Sequence, residues 1–209
     1  MTHSLHRQGK PAELENDYVI LITPAAGINH QGTARKLKEI LDYIEMLGPS
    51  NIGGYETGSI HAGYTFEQIR SGLDRAKVPR VRCCFSDFEK IRRLVEFIKQ
   101  KDYGISVTVS GLTENIQDMC KDLQIRPHSI NLSLGFHGRT DLLPDEEVLK
   151  MVTMCGHGMV GAGLVRELMK EVRAGRMKPE DAAREVSKPC VCGIFNTRRA
   201  QGFFESLAP

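Results

Sequence analysis

A chain of 209 residues with 41% apolar and 26% charged residues is long enough to bury a core and has globular composition, which excludes a disordered or fibrous chain. Its 28 basic and 26 acidic residues leave a formal charge of only +2, too little to attract nucleic acid or anionic lipid at long range. The longest apolar run lies near residues 18–22, far short of the roughly 18 residues of a membrane span, and residues 1–10 contain no apolar stretch of the kind that forms a secretory leader. The expectation is a cytoplasmic protein working without nucleic acid or membrane. In that compartment thiols stay reduced, so its six cysteines read as core residues, ligands or catalysts before they read as disulfides.

No internal repeat interrupts the chain, and short β-branched runs alternate with amphipathic ones, the pattern of an α/β fold. Residues 18–23 (YVILIT) form a first strand, apolar on both faces and therefore central. Leu37, Ile40, Leu41 and Ile44 recur at helical spacing, giving a helix over 32–47 that Gly48-Pro49 stops. Residues 51–64 read as a long glycine-rich loop with a short strand near 59–62, and 66–75 as a short helix. A βαβαβ succession follows, with strands at 80–85, 104–109 and 129–136 and helices at 87–101 and 114–123. Right-handed crossovers would place both helices on one sheet face.

In these later strands apolar and polar residues alternate. Val81, Cys83 and Phe85 oppose Arg82, Cys84 and Ser86; Ile105, Val107 and Val109 oppose Ser106, Thr108 and Ser110; Ile130, Leu132, Leu134 and Phe136 oppose Asn131, Ser133, Gly135 and His137. One sheet face is therefore polar, either open to solvent or closed over a polar site by C-terminal helices and glycine-rich loops. Beyond residue 144 the signal is helical, over 145–153, 160–174, 179–187 and 197–207. The predicted organisation is an α/β domain over 1–143 and a helical C-terminal region over 144–209 that carries the cysteine motifs, packed together as one unit.

Chemistry concentrates at the thiols. Cys155 in the run MCGHG lies just before the helix expected near Val160, where free amides and the helix dipole favour a thiolate, and Gly156 and Gly158 allow close backbone approach by an anion or small ligand. Cys190 and Cys192 in KPCVCGIFN point the same way if the segment is extended, ahead of Asn196 as an N-cap, with Gly193 beside them. Three thiolates with one open position suit an iron–sulfur cluster or a transition metal such as zinc, and this gives the leading expectation: a metal-binding or iron–sulfur enzyme or cofactor-handling protein acting on a small molecule through Cys155, Cys190 and Cys192. His157 is a fourth ligand or a catalytic partner. His137 and Arg139, in GFHGR after the third strand, add a ligand and an anion-binding guanidinium.

Two alternatives stay open, a metal-free thiol enzyme performing proton transfer or thiol–disulfide exchange, and a non-catalytic module that binds a ligand or partner. Cys83 and Cys120 read as core residues, and Cys84 is open. His30 and His61 follow the same histidine–glycine pattern as His137 without an assigned role. The glycine loops match neither the dinucleotide fingerprint nor the P-loop, so no nucleotide cofactor is indicated, and self-association as a homo-oligomer is left open.

The segment Met154-Cys155-Gly156-His157-Gly158 resembles the Met-Cys-Gly-His-Gly segment of proline racemases. That resemblance implies a cysteine acid/base at a helix N-terminus facing a second cysteine across the substrate carbon, for which Cys190 or Cys192 would stand. It covers this short segment alone, so no family is assigned to the chain.

Overall fold

A computed structural model describes residues 7–209 of the protein, so the opening stretch read for a leader lies in part outside the described residues. The core element is β1 (Tyr18–Thr23), in which Tyr18, Val19, Ile20, Leu21 and Ile22 are all buried. Such a run can be satisfied only when both sheet faces are covered, and full burial of each aliphatic side chain contributes about 1.5–3 kcal/mol.

β1 has an antiparallel neighbour on each side, β4 (Val81–Phe85) and β5 (Ser106–Ser110). Beyond β4 lie β2 (Asn51–Gly54) and β3 (Gly58–Ser59), giving five strands in the order β3-β2-β4-β1-β5. Helix α2 (Thr33–Leu47) links β1 to β2, and α4 (Phe88–Lys101) links β4 to β5. Each helix therefore joins two parallel strands with one antiparallel strand between them, the interleaved split βαβ arrangement of ferredoxin-like sheets. Helix α3 (Phe66–Arg75) precedes β4, and α5 (Thr113–Asp122) follows β5.

The α/β fold, with its helical C-terminal region, is as expected, while two details differ. Asn51–Gly54, read as loop, is a strand: its glycines serve close packing, since a Cβ on Gly53 would meet the Gly58 carbonyl oxygen at 2.4 Å. Residues 129–136 form no strand, and Ile130, Leu132 and Leu134 stand 63%, 65% and 86% exposed. Alternation provides an apolar face, but a strand also needs a paired edge and a covering layer, and neither reaches this segment.

The two sheet faces carry separate cores. Tyr18, Ile20, Ile22, Ile52, Cys83 and Phe85 pack with Leu37, Ile40 and Ile44 of α2, Leu73 of α3, and Ile91 and Leu94 of α4. Val19, Leu21 and Cys84 face the opposite way, against α6 (Glu146–Val152), α7 (Ala162–Arg173), α8 (Pro179–Ser187) and α9 (Thr197–Glu205). The polar alternation is thus covered by the C-terminal helices over β1 and β4, and stays partly exposed along β5. No helix among the described residues is long and apolar enough to cross a membrane.

Asp17, just ahead of β1, fixes the second layer. Its buried carboxylate accepts from Arg7 Nη1 at 2.8 Å, Arg199 Nη1 at 2.6 Å and Asn196 Nδ2 at 3.0 Å, while Asn196 also caps α9 through the Arg199 backbone N–H. Two guanidinium groups on one carboxylate tie the N-terminal segment, the sheet and the last helix together.

Candidate functional site

Between β2, β4 and the C-terminal loops lies a cluster assembled from distant parts of the chain. The turn after α6 brings Cys155 and His157, the turn after α8 brings Cys190 and Cys192, β4 brings Arg82, and the β2–β3 connection brings Tyr55. The loop of residues 190–195 lies directly on β2: Gly193 has φ +76°, and a Cβ there would sit 2.2 Å from the Gly53 nitrogen. Only glycine meets both demands, so Gly193, expected to bind a cofactor, serves this backbone approach. Gly156 lies in the turn after α6; Gly158 takes the left-handed conformation at φ +67° with open space around it.

The side chains form a chain of contacts. Cys155 is hydrogen-bonded with Cys190, Cys190 Sγ lies 3.8 Å from Cys192 Sγ, and Cys192 Sγ lies 3.6 Å from His157 Nδ1. The other ring nitrogen of His157 bonds the Tyr55 hydroxyl, and the Arg82 guanidinium lies 4.8 Å over the centre of the Tyr55 ring. Cys155, Cys190, Cys192 and Arg82 are buried, whereas Tyr55 and His157 are exposed and form the outer layer.

These contacts set the proton affinities. The hydrogen bond with Cys190, followed by burial, pushes the Cys155 thiol far up. The Cys155 bond lowers Cys190, but its bond to Cys192 and its burial outweigh that and leave it pushed up to about 11. Cys192 is lowered, by the Cys190 bond first, with the Ile194 backbone and the Arg82 charge assisting against burial. Burial lowers His157 and raises Tyr55. A thiolate was expected at Cys155 on the grounds of a helix start, but α7 begins only at Ala162, so Cys155 receives no dipole from it. Of the three thiols, Cys192 is the one whose proton affinity is lowered.

His137 and Arg139 remain outside this cluster, in the exposed stretch that failed to form a strand. His137 Nε2 bonds the Leu134 carbonyl at 2.9 Å, and Arg139 forks onto Asp141 at 2.8 and 2.6 Å. Cys83 is buried in the α2–α4 core as expected, and Cys120 is half-buried. Cys84 is buried on the other face, its sulfur 3.5 Å from the Phe195 carbonyl. His30 Nδ1 accepts from the Gly27 backbone within its own turn. His61 Nε2 reaches the Ser50 carbonyl at 3.0 Å and Thr197 Oγ1 at 3.2 Å, between sheet and α9.

Sequence reading missed Tyr55 and Arg82. The available signal was an arginine in the middle of a strand, on the polar face beside Cys84, and an aromatic side chain within a glycine-rich loop.

The metal centre is corrected. Among the described residues no group of three or more His, Cys, Asp or Glu side chains is disposed to hold a metal ion. Cys155 bonds Cys190, Cys190 contacts Cys192, and Cys192 contacts His157. No family model and no solved structure matches the chain. It is 23% identical over 168 residues, 76% of its length, to the tritrans,polycis-undecaprenyl-diphosphate synthase (geranylgeranyl-diphosphate specific) of Thermococcus kodakarensis. The alignment takes in 52% of that relative, so the chain spans about half its length. A relative named for making a polyprenyl diphosphate overturns the expected metal- or iron–sulfur-dependent thiol enzyme, together with its zinc or iron–sulfur cofactor.

Proposed function

We propose that the chain acts on a small molecule bearing a diphosphate group, in a transfer reaction of the kind the Thermococcus relative is named for. The relative's name contributes the substrate class, with geranylgeranyl diphosphate as the first compound to examine. The observation that carries the reading is the polar cluster between the sheet and the C-terminal helices. There a guanidinium and a thiol of lowered pKa lie beneath an exposed phenol and imidazole, those of Tyr55 and His157. Preorganised donors in a partly water-excluded site are what developing charge on a leaving diphosphate requires. In this reading Cys155, His157, Cys190 and Cys192 line the centre and the open turn at Gly158 gives access, while His137 and Arg139 take no part.

Geranylgeranyl diphosphate, offered alone and with a second isoprenoid diphosphate as acceptor, tests this. Saturable consumption with release of inorganic diphosphate is expected. Absence of both binding and turnover at millimolar substrate overturns the reading.

A further inference from the structure

Arg82 lies at the centre of β4, paired in register with Leu21 on one side and Gly53 on the other, and is 6% exposed. Its Nε and Nη1 are buried without a hydrogen-bond partner, and no carboxylate among the described residues forms an ion pair with it. The contrast with Arg7 and Arg199 lies in the counter-charge: those buried guanidinium groups share Asp17, although Arg7 Nε is also unmet. The Tyr55 ring lies over the Arg82 group and its hydroxyl accepts a hydrogen bond from the guanidinium, which still leaves Nε and Nη1 unmet. Burying a cation with donors unmet is costly, and such a cost is tolerated in folded chains chiefly where a ligand supplies the missing acceptors.

The surroundings limit that ligand. A guanidinium matches the oxygens of phosphate and carboxylate groups through parallel N–H bonds. Tyr55 and His157, the layer between Arg82 and solvent, add a hydroxyl and an imidazole. Because both are exposed, an entering ligand displaces two surface side chains and no part of the core. The resident competitor is Cys192, whose sulfur lies against His157 and close enough to Arg82 for their charges to interact.

We propose that Arg82 is the anchor of an oxyanion site that takes the phosphate end of a diphosphate ester, with Tyr55 and His157 closing over it. The ester rests on the reading given under Proposed function; the oxyanion site rests on Arg82 itself.

The test titrates inorganic diphosphate, with sulfate as a control, into wild type, Arg82→Met and Arg82→Lys at fixed salt, and records the melting temperature of each protein without ligand. An anchoring role predicts that wild type binds diphosphate and that Arg82→Met loses at least about tenfold in affinity. Ligand-free Arg82→Met melts at or above the wild-type temperature, because an uncompensated buried charge has been removed. Should Arg82→Met fail to fold, Arg82→Lys decides, keeping the charge without the fork and binding more weakly than wild type. Equal affinity in wild type and the folded variants overturns the proposal. So does a lower melting temperature in Arg82→Met together with no diphosphate binding by wild type, which would make Arg82 a structural partner of Cys192. Arg82-dependent binding of inorganic diphosphate without turnover of geranylgeranyl diphosphate upholds the anion site and removes the proposed function. Turnover that survives in Arg82→Met does the reverse.

Discussion

The two faces of one sheet solve the same packing problem with different means. Against α2, α3 and α4 the interior positions are aliphatic or aromatic, apart from Cys83, and the face is finished by apolar contact. Against α6 to α9 the same strands present Val19 and Leu21 but also Arg82, Cys84 and Asn51, and the covering loops answer with cysteines, backbone carbonyls and a buried ion cluster. Polar groups are not needed to hold a layer of this size, as the first face demonstrates. Those on the second face sit where a loop, and not a helix, meets the sheet.

Removing the clamp of the polar face has the largest expected effect. Asp17→Ala leaves two buried guanidinium groups without a counter-charge and is expected to cost about 3–5 kcal/mol. Hydrogen exchange should show α9 losing protection before α2 and α4; uniform loss across both layers would show that the two faces unfold as one unit. On the apolar face, Ile20→Ala removes a fully buried side chain and is expected to cost about 2–5 kcal/mol by chemical denaturation, with Arg82-dependent diphosphate affinity unchanged in the folded protein. A change in that affinity would show that the faces are coupled through β1.

The smallest effect expected is a pH dependence. Burial holds His61 below its ordinary value of 6.5, and His157 is shifted in the same direction, so the unfolded chain takes up these protons before the folded one does. Their contribution to stability is therefore complete above about pH 6.5 and is lost as the pH falls from there toward the folded-state values. His61→Gln should flatten stability against pH within that window and leave it unchanged above; an unaltered slope would assign the dependence to His157 or to the carboxylates.

Much of the fold was legible in the sequence for physical reasons that act locally. The period of 3.6 in Leu37, Ile40, Leu41 and Ile44 and the closed apolar run of β1 each specify an element from adjacent residues alone. The segment 129–136 shows where that ends: its alternation is as regular as that of β5, yet pairing depends on an edge and a covering layer that adjacent residues do not specify. The site divides in the same way. Cys155, His157, Cys190 and Cys192 were visible as unusual residue types at close spacing, whereas Tyr55 and Arg82 carry only weak local marks and join them because the loop of residues 190–195 packs on β2.

Composition, periodicity and turn residues by themselves determined that this chain folds as an α/β protein with a helical C-terminal region, and that its thiols would gather. Tertiary structure alone decided strand order, which thiol has its proton affinity lowered, and that a buried arginine with unmet donors lies in the cluster. The physical reason is range: propensity and pattern act between residues a few positions apart, while desolvation and hydrogen bonding act between whichever groups the fold brings within a few ångströms.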